Sequence, residues 1–153
     1  MKVGILMSDF SCSQLSFYVI RNVNEACNTS PKNDYIGFFE NLSGNVIEPS
    51  FCLMNMSEVW GFEGLLVATS ASTALTLIKA VTPSKKYFYV WDLEWIRNPH
   101  NYHTLLAIYR HPSINLIARS ETHAKAIENF CNKRVVGIMD DFNLSDLGDI
   151  ING

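Results

Sequence analysis

The chain has 153 residues, enough for one domain with a proper hydrophobic core. Hydrophobic residues make up 48% and charged residues 18%, a balance that excludes wholesale disorder. The formal net charge of −3 argues against nucleic-acid binding by bulk charge, so no nucleic-acid partner is expected.

Taken in order, residues 2–7 predict a strand, followed by the polar turn Ser8-Asp9-Phe10-Ser11-Cys12-Ser13. A helix is predicted over 14–28, because Leu15, Val19, Val23 and Cys27 repeat every four residues and form one apolar stripe. Residues 28–33, with Pro31, read as a loop. A second strand is expected over 34–40. After the Ser43-Gly44 turn signal, Val46-Ile47 is expected to pair locally as an edge. Residues 51–54 give a short third strand with a helical turn over 57–60 behind it. Gly61 and Gly64 flank a tight connection into a buried strand over 65–69, and Ser70 is placed to cap a helix over 71–80.

The stretch 85–97, KKYFYVWDLEWIR, is central to the reading. Tyr87 to Trp91 are all aromatic or β-branched, and the run is too short for a helix, so it predicts a fully buried strand. It ends at Asp92, with Glu94 one residue further on. Asn98-Pro99 forces a turn, and a helix over 101–110 ends at His111-Pro112. A strand over 114–118, a Ser120-capped helix over 121–132, a strand over 135–139 and a short helix over 144–151 complete the chain. The basic pairs Lys85-Lys86 and Lys133-Arg134 read as solvated loop ends.

Strands alternating with helices at short loop lengths predict an α/β, Rossmann-like fold. Its sheet would be mostly parallel, of about six strands, with helices on both faces. Right-handed crossovers place every strand's carboxyl end on one edge, which in open α/β sheets is where ligands bind. Asp9, Ser70, Asp92, Glu94, Arg119, Ser120 and Asp140 are all expected along that edge. The apolar run at residues 3–7 is too short for a signal peptide or a membrane span, and no later run is longer. The four cysteines form no C-x-x-C pair. A soluble cytoplasmic protein with reduced cysteines is expected.

The sequence has no G-x-G-x-x-G after the first strand and no P-loop motif, so no nucleotide cofactor is expected. The segment 70–73 could hold a phosphate through amides and hydroxyls, although simple capping accounts for the same residues. Cys12 has no identifiable activating partner. His100, His103, His111 and His123 lack metal-ligand spacing and read as surface residues. Three readings stand for Asp92 and Glu94: a divalent-metal pair, acid or base work on a sugar hydroxyl, and a purely structural salt bridge or cap.

The run 87–94, YFYVWDLE, resembles the Y-x-x-Q-D-x-E strand of bacterial glycosyltransferases with the GT-B fold, in particular their rhamnosyltransferase-like branch. Residues 117–121, IARSE, with the helix after them, are similar to that family's i-a-x-S strand and capped helix. Residues 135–142, VVGIMDDF, are similar to its v-x-x-G-i-D-x-x-F segment. The three pieces keep their order and spacing over residues 65–145. Trp91 stands where the family pattern has Gln, and the glycine-rich first loop is replaced by Asp9 to Ser13.

The resemblance implies an acceptor-side lobe of a glycosyltransferase, with a sugar acceptor as ligand and a donor-binding lobe supplied by a partner chain. Asp92, Glu94 and Asp9 would face the cleft as catalytic candidates. Ser70, Arg119, Ser120 and Asp140 would bind ligand, with Arg119 meeting an anionic group. The alternative is a non-catalytic binding or self-associating module derived from such a lobe.

Overall fold

The computed structural model describes residues 1–30 and 32–152. Pro31, within the expected loop, and Gly153 lie outside the described residues. Seven strands form one sheet, every pair parallel. They are β1 (Lys2–Asp9), β2 (Asp34–Asn41), β3 (Cys52–Asn55), β4 (Leu65–Ala68), β5 (Lys85–Tyr89), β6 (Asn115–Ala118) and β7 (Val135–Ile138). Their order across the sheet is β3-β2-β1-β4-β5-β6-β7. The helices are α1 (Gln14–Thr29), α2 (Ala71–Lys79), α3 (Glu94–Arg97), α4 (Tyr102–Arg110), α5 (Glu121–Cys131) and α6 (Leu144–Asn152).

The α/β reading therefore holds, with seven strands rather than about six. The expected short third strand is the four-residue β3, one residue later than the 51–54 run, and it joins the edge of the sheet by pairing Ile36 with Cys52 and Phe39 with Asn55. Val46 does not extend that edge. Its amide donates to the Phe10 carbonyl at 3.2 Å, and with Ile47 it covers the core beneath the first loop.

The period-two alternation of each strand divides the core between two faces. Leu66, Ala68, Phe88, Val90, Leu116 and Ala118 point to the face covered by α2, α4 and α5. Leu65, Val67, Tyr87, Tyr89 and Ile117 point to the face covered by α1 and α6. Strands with helices on both faces are apolar on both sides, and β4 is accordingly buried along its whole length. No helix among the described residues is long and apolar enough to cross a membrane.

β5 starts two residues earlier and ends two residues earlier than the aromatic run suggests. Its ladder stops at Tyr89, although the Val90 amide still reaches the Ile117 carbonyl at 2.9 Å. Trp91 then leaves the sheet and packs on Tyr18 of α1, ring centroids 5.8 Å apart. Lys133 also departs from expectation. Its half-buried amine donates to the carbonyls of His111 and Ile114, tying the end of α4 to the start of β6.

Because α1 and α2 lie on opposite faces, the chain reverses its winding direction between β1 and β4. In open α/β sheets the crevice for ligands lies at such a reversal, at the carboxyl edge between the loops after those two strands.

Candidate functional site

Glu94 lies at this edge, at the start of α3, where it reaches the first turn of α2. Its Oε1 accepts the Ala71 amide at 2.8 Å. The carboxylate therefore sits at the positive end of a nine-residue helix. Burial pushes the Glu94 carboxyl above the ordinary glutamate range. The Ala71 amide opposes that shift, and the negative charge of Asp92 adds to it. No donor among the described residues reaches Oε2.

The amides of Thr69, Ser70 and Thr73 at this helix start are also engaged by the protein itself. Ser70 Oγ accepts the Thr73 amide at 3.2 Å, while Thr73 Oγ1 accepts the amides of Ser70 at 3.0 Å and of Thr69 at 3.1 Å. This is a capping box with threonine at its third position. A phosphate at residues 70–73 would have to displace Glu94 from Ala71.

The other expected site residues occupy several places along the edge. Asp92 pairs with Arg97 at 3.3 Å, both side chains well exposed. A surface pair of this kind contributes about 0–1 kcal/mol. Asp9 clasps the first loop: Oδ1 accepts the Ser11 amide at 2.8 Å, and Oδ2 accepts the hydroxyls of Ser11 at 2.8 Å and Ser43 at 2.9 Å. The Ser11 hydroxyl, then the Ser11 amide, hold its carboxyl below the usual aspartate range. Ser120 caps α5 by accepting the His123 amide at 3.2 Å. Asp140 is exposed beyond β7, three strand spacings from β4, roughly 14 Å at about 4.8 Å each.

Arg119 forms a second centre with Trp91 and Asp141. Its guanidinium lies 3.7 Å over the Trp91 ring, and Nη2 meets Asp141 Oδ1 at 3.4 Å. Its Nε is buried without a hydrogen-bond partner among the described residues. Asp141 and Phe142 are consecutive non-glycine residues with left-handed backbones, φ 42° and 62°. That conformation persists only where the surroundings enforce it. Asn22 Nδ2 donates to the Asp141 carbonyl at 2.6 Å, and the Phe142 amide donates to Tyr89 Oη at 3.2 Å. Burial raises the Tyr89 hydroxyl to about 12, so it stays protonated.

His123 is half-buried beside this centre rather than a surface residue. Its Nδ1 faces the Arg119 amide at 3.5 Å, and burial followed by the Arg119 charge pushes the imidazole below the ordinary histidine range. Among the described residues no three His, Cys, Asp or Glu side chains converge as a metal-ligand set. Cys12 is exposed and free. Thr73 was legible as the third residue of an S-x-x-T cap. Trp91 and Asp141 had only their places at strand ends to mark them.

On the α2 side, Tyr109 carries a fully buried hydroxyl with no partner among the described residues. Its ring is wedged among Phe88, Trp95 and Phe130. An unsatisfied buried hydroxyl is a cost, so Tyr109→Phe is expected to stabilise the fold by about 1 kcal/mol. Urea unfolding at neutral pH checks this, and a destabilised variant would show that the hydroxyl has a partner.

Two cavities adjoin these elements. One of about 540 Å³ lies at the opposite, amino edge, against Lys2, Tyr35, Phe51 and Phe62, and contains no expected site residue. The other, of about 630 Å³, follows α1 and is bounded by Asp140, Asp141 and the start of α6. Compared with family models, curated proteins and solved structures, the chain gives no match in any of the three.

Proposed function

We propose that this chain is the acceptor-side lobe of a glycosyl-transferring enzyme, with Glu94 taking the proton of the acceptor hydroxyl. The observation that carries the reading is the state of Glu94. It is a half-buried carboxyl at the crevice, with one oxygen fixed by Ala71 and the other open. A base held in place and shifted toward neutral pH suits proton transfer from an alcohol. As the acceptor oxygen bonds to the donor's anomeric carbon, its proton passes to Oε2 and the nucleotide diphosphate departs. The donor lobe, supplied by a partner chain or by a further stretch of polypeptide, would bind the nucleotide sugar. Asp9 in this reading shapes the first loop, and Asp92 adds negative charge beside the base.

The test is NMR titration of the ¹⁵N-labelled chain with monosaccharides and, separately, with nucleotide sugars. Saccharides are expected to shift the Ala71 and Glu94 amides, while the isolated chain binds nucleotide sugars weakly. Tight nucleotide-sugar binding by this chain alone would overturn the lone-lobe assignment.

The internal engagement of Asp92 and Asp9 favours a second reading, a binding module without catalysis. Under it, Glu94→Gln would leave saccharide affinity unchanged, and no donor lobe would restore transfer.

A further inference from the structure

The cavity along α1 is separate from the crevice at Glu94, yet two of its residues connect it to the Arg119 centre. Asp141 belongs to the cavity wall and also pairs with Arg119. Arg21 belongs to the wall and also lies 5.0 Å over the Tyr18 ring, which in turn packs on Trp91. An unbroken series of Arg21, Tyr18, Trp91 and Arg119 therefore joins the cavity to the edge of the sheet.

The chemistry of the wall restricts its ligand. Asn22, Glu25, Asp140, Asp141 and Ser145 offer acceptor oxygens, and among the described residues of the wall Arg21 alone carries a full positive charge. A multiply charged anion would meet three carboxylates and one guanidinium, so phosphates and polyanions are disfavoured. A purely apolar ligand would strand these polar groups without partners. A neutral polyol suits the wall, because its hydroxyls donate to carboxylate and amide oxygens and accept from Arg21 and Asn22. The volume of about 630 Å³ lies in the range of small-ligand sites and holds more than one sugar ring.

The Arg119–Asp141 contact is a suitable threshold between the two compartments. It is a single contact at 3.4 Å with both side chains partly exposed. Nη1 of the arginine and Oδ2 of the aspartate have no partner among the described residues. They leave one donor and one acceptor of this pair free for sugar hydroxyls. The constrained backbone at Asp141 and Phe142 fixes the aspartate in that position.

From these observations we infer that the α1–α6 cavity is an extended subsite for a neutral oligosaccharide, entered past the Arg119–Asp141 pair. The inference rests on the acceptor-lobe reading and gives its ligand a class and a direction: a saccharide chain whose reacting end lies at Glu94 and whose remainder runs along α1.

The experiment is ¹H–¹⁵N titration of the full chain with glucose, L-rhamnose, maltotriose, glucuronate and spermidine, repeated with Arg21→Ala and Glu25→Ala. Both substitutions are at exposed helix positions, so the fold is expected to survive, as circular dichroism would verify. Maltotriose is expected to bind at least about tenfold tighter than either monosaccharide and to shift the Asn22, Asp141 and Ser145 amides. Either variant should remove that length advantage while leaving the monosaccharide shifts at Ala71 unchanged. Equal affinity for mono- and trisaccharide, with shifts confined to Ala71 and Glu94, would overturn the subsite and leave the acceptor-lobe reading standing. Cavity shifts caused by spermidine or glucuronate but not by maltotriose would overturn it in favour of a charged ligand. Absence of saccharide shifts anywhere would overturn both.

Discussion

Glu94→Gln is expected to lower glycosyl transfer by about 10²–10⁴-fold once a donor lobe is present, the range associated with loss of a general base. The same variant should be as stable as the parent chain at acid pH and more stable at neutral pH. Burial raises the folded-state pKa of Glu94 above its unfolded value. The stability this group contributes is therefore fully present below the ordinary glutamate range and is lost as pH rises through the raised value. Glutamine keeps an oxygen to accept the Ala71 amide, at 2.8 Å in the parent chain, but never ionises. The gap between variant and parent should widen from acid to neutral pH and then level off. Thermal melts at a series of pH values measure the gap, and a variant that melts lower than the parent at neutral pH would sink the assignment. Glu94→Ala separates the two effects, because it also strands the Ala71 amide and should destabilise at every pH.

Thr73→Val is the second large effect. The two side chains have nearly the same shape, so the substitution opens no cavity. Thr73 is fully buried, and its hydroxyl accepts the amides of Thr69 and Ser70 and donates to the Ser70 carbonyl at 3.0 Å. Valine would leave two donors at the end of β4 without partners. The expected cost is about 2–4 kcal/mol, from about 1–3 kcal/mol for each stranded buried group after partial relaxation. Thr73→Ser retains the hydroxyl and should lose less than half of that. Urea unfolding of the two variants side by side is the check, and equal losses would place the effect in packing instead of hydrogen bonding. Since this cap also presents Ala71 to Glu94, Thr73→Val should weaken saccharide binding at the crevice as well.

The general architecture was legible because burial on both faces leaves a simple signature. Short runs such as Leu65 to Ala68 are apolar throughout, and Ser70 and Ser120 mark the helix starts with capping hydroxyls. The third strand was legible as a strand at 51–54, but its place in the sheet was not. β3 is only Cys-Leu-Met-Asn, and its place depends on pairing with β2, a tertiary fact that no local pattern encodes.

The candidate site divided along the same line. That Asp9, Glu94 and Arg119 stand at strand ends follows from topology and could be read from order alone. What each touches could not, because Asp92 turns to Arg97, Glu94 to a helix two elements earlier, and Arg119 to a tryptophan and an aspartate on neighbouring strand ends. Asp141 was hidden for a further reason. Its left-handed backbone is imposed by Asn22 and by the tie from Phe142 to Tyr89, residues far away in sequence.

The winding reversal between β1 and β4 bears on how the chain could be divided. On each side of that seam the strands follow one another in sequence, β1-β2-β3 on one side and β4-β5-β6-β7 on the other. The sheet thus consists of two separately encoded blocks, joined by four register pairs from Val3–Leu65 to Leu6–Ala68 and by the segment around the exposed Gly61. A cut at Gly61 would separate the blocks without splitting either, so the fragments are suited to complementation. Each fragment alone would expose one unpaired edge of a largely buried strand, which favours reassembly and also aggregation. A ligand seated in the crevice touches both blocks and would act as a clamp, so reassembly should respond to ligand concentration by mass action.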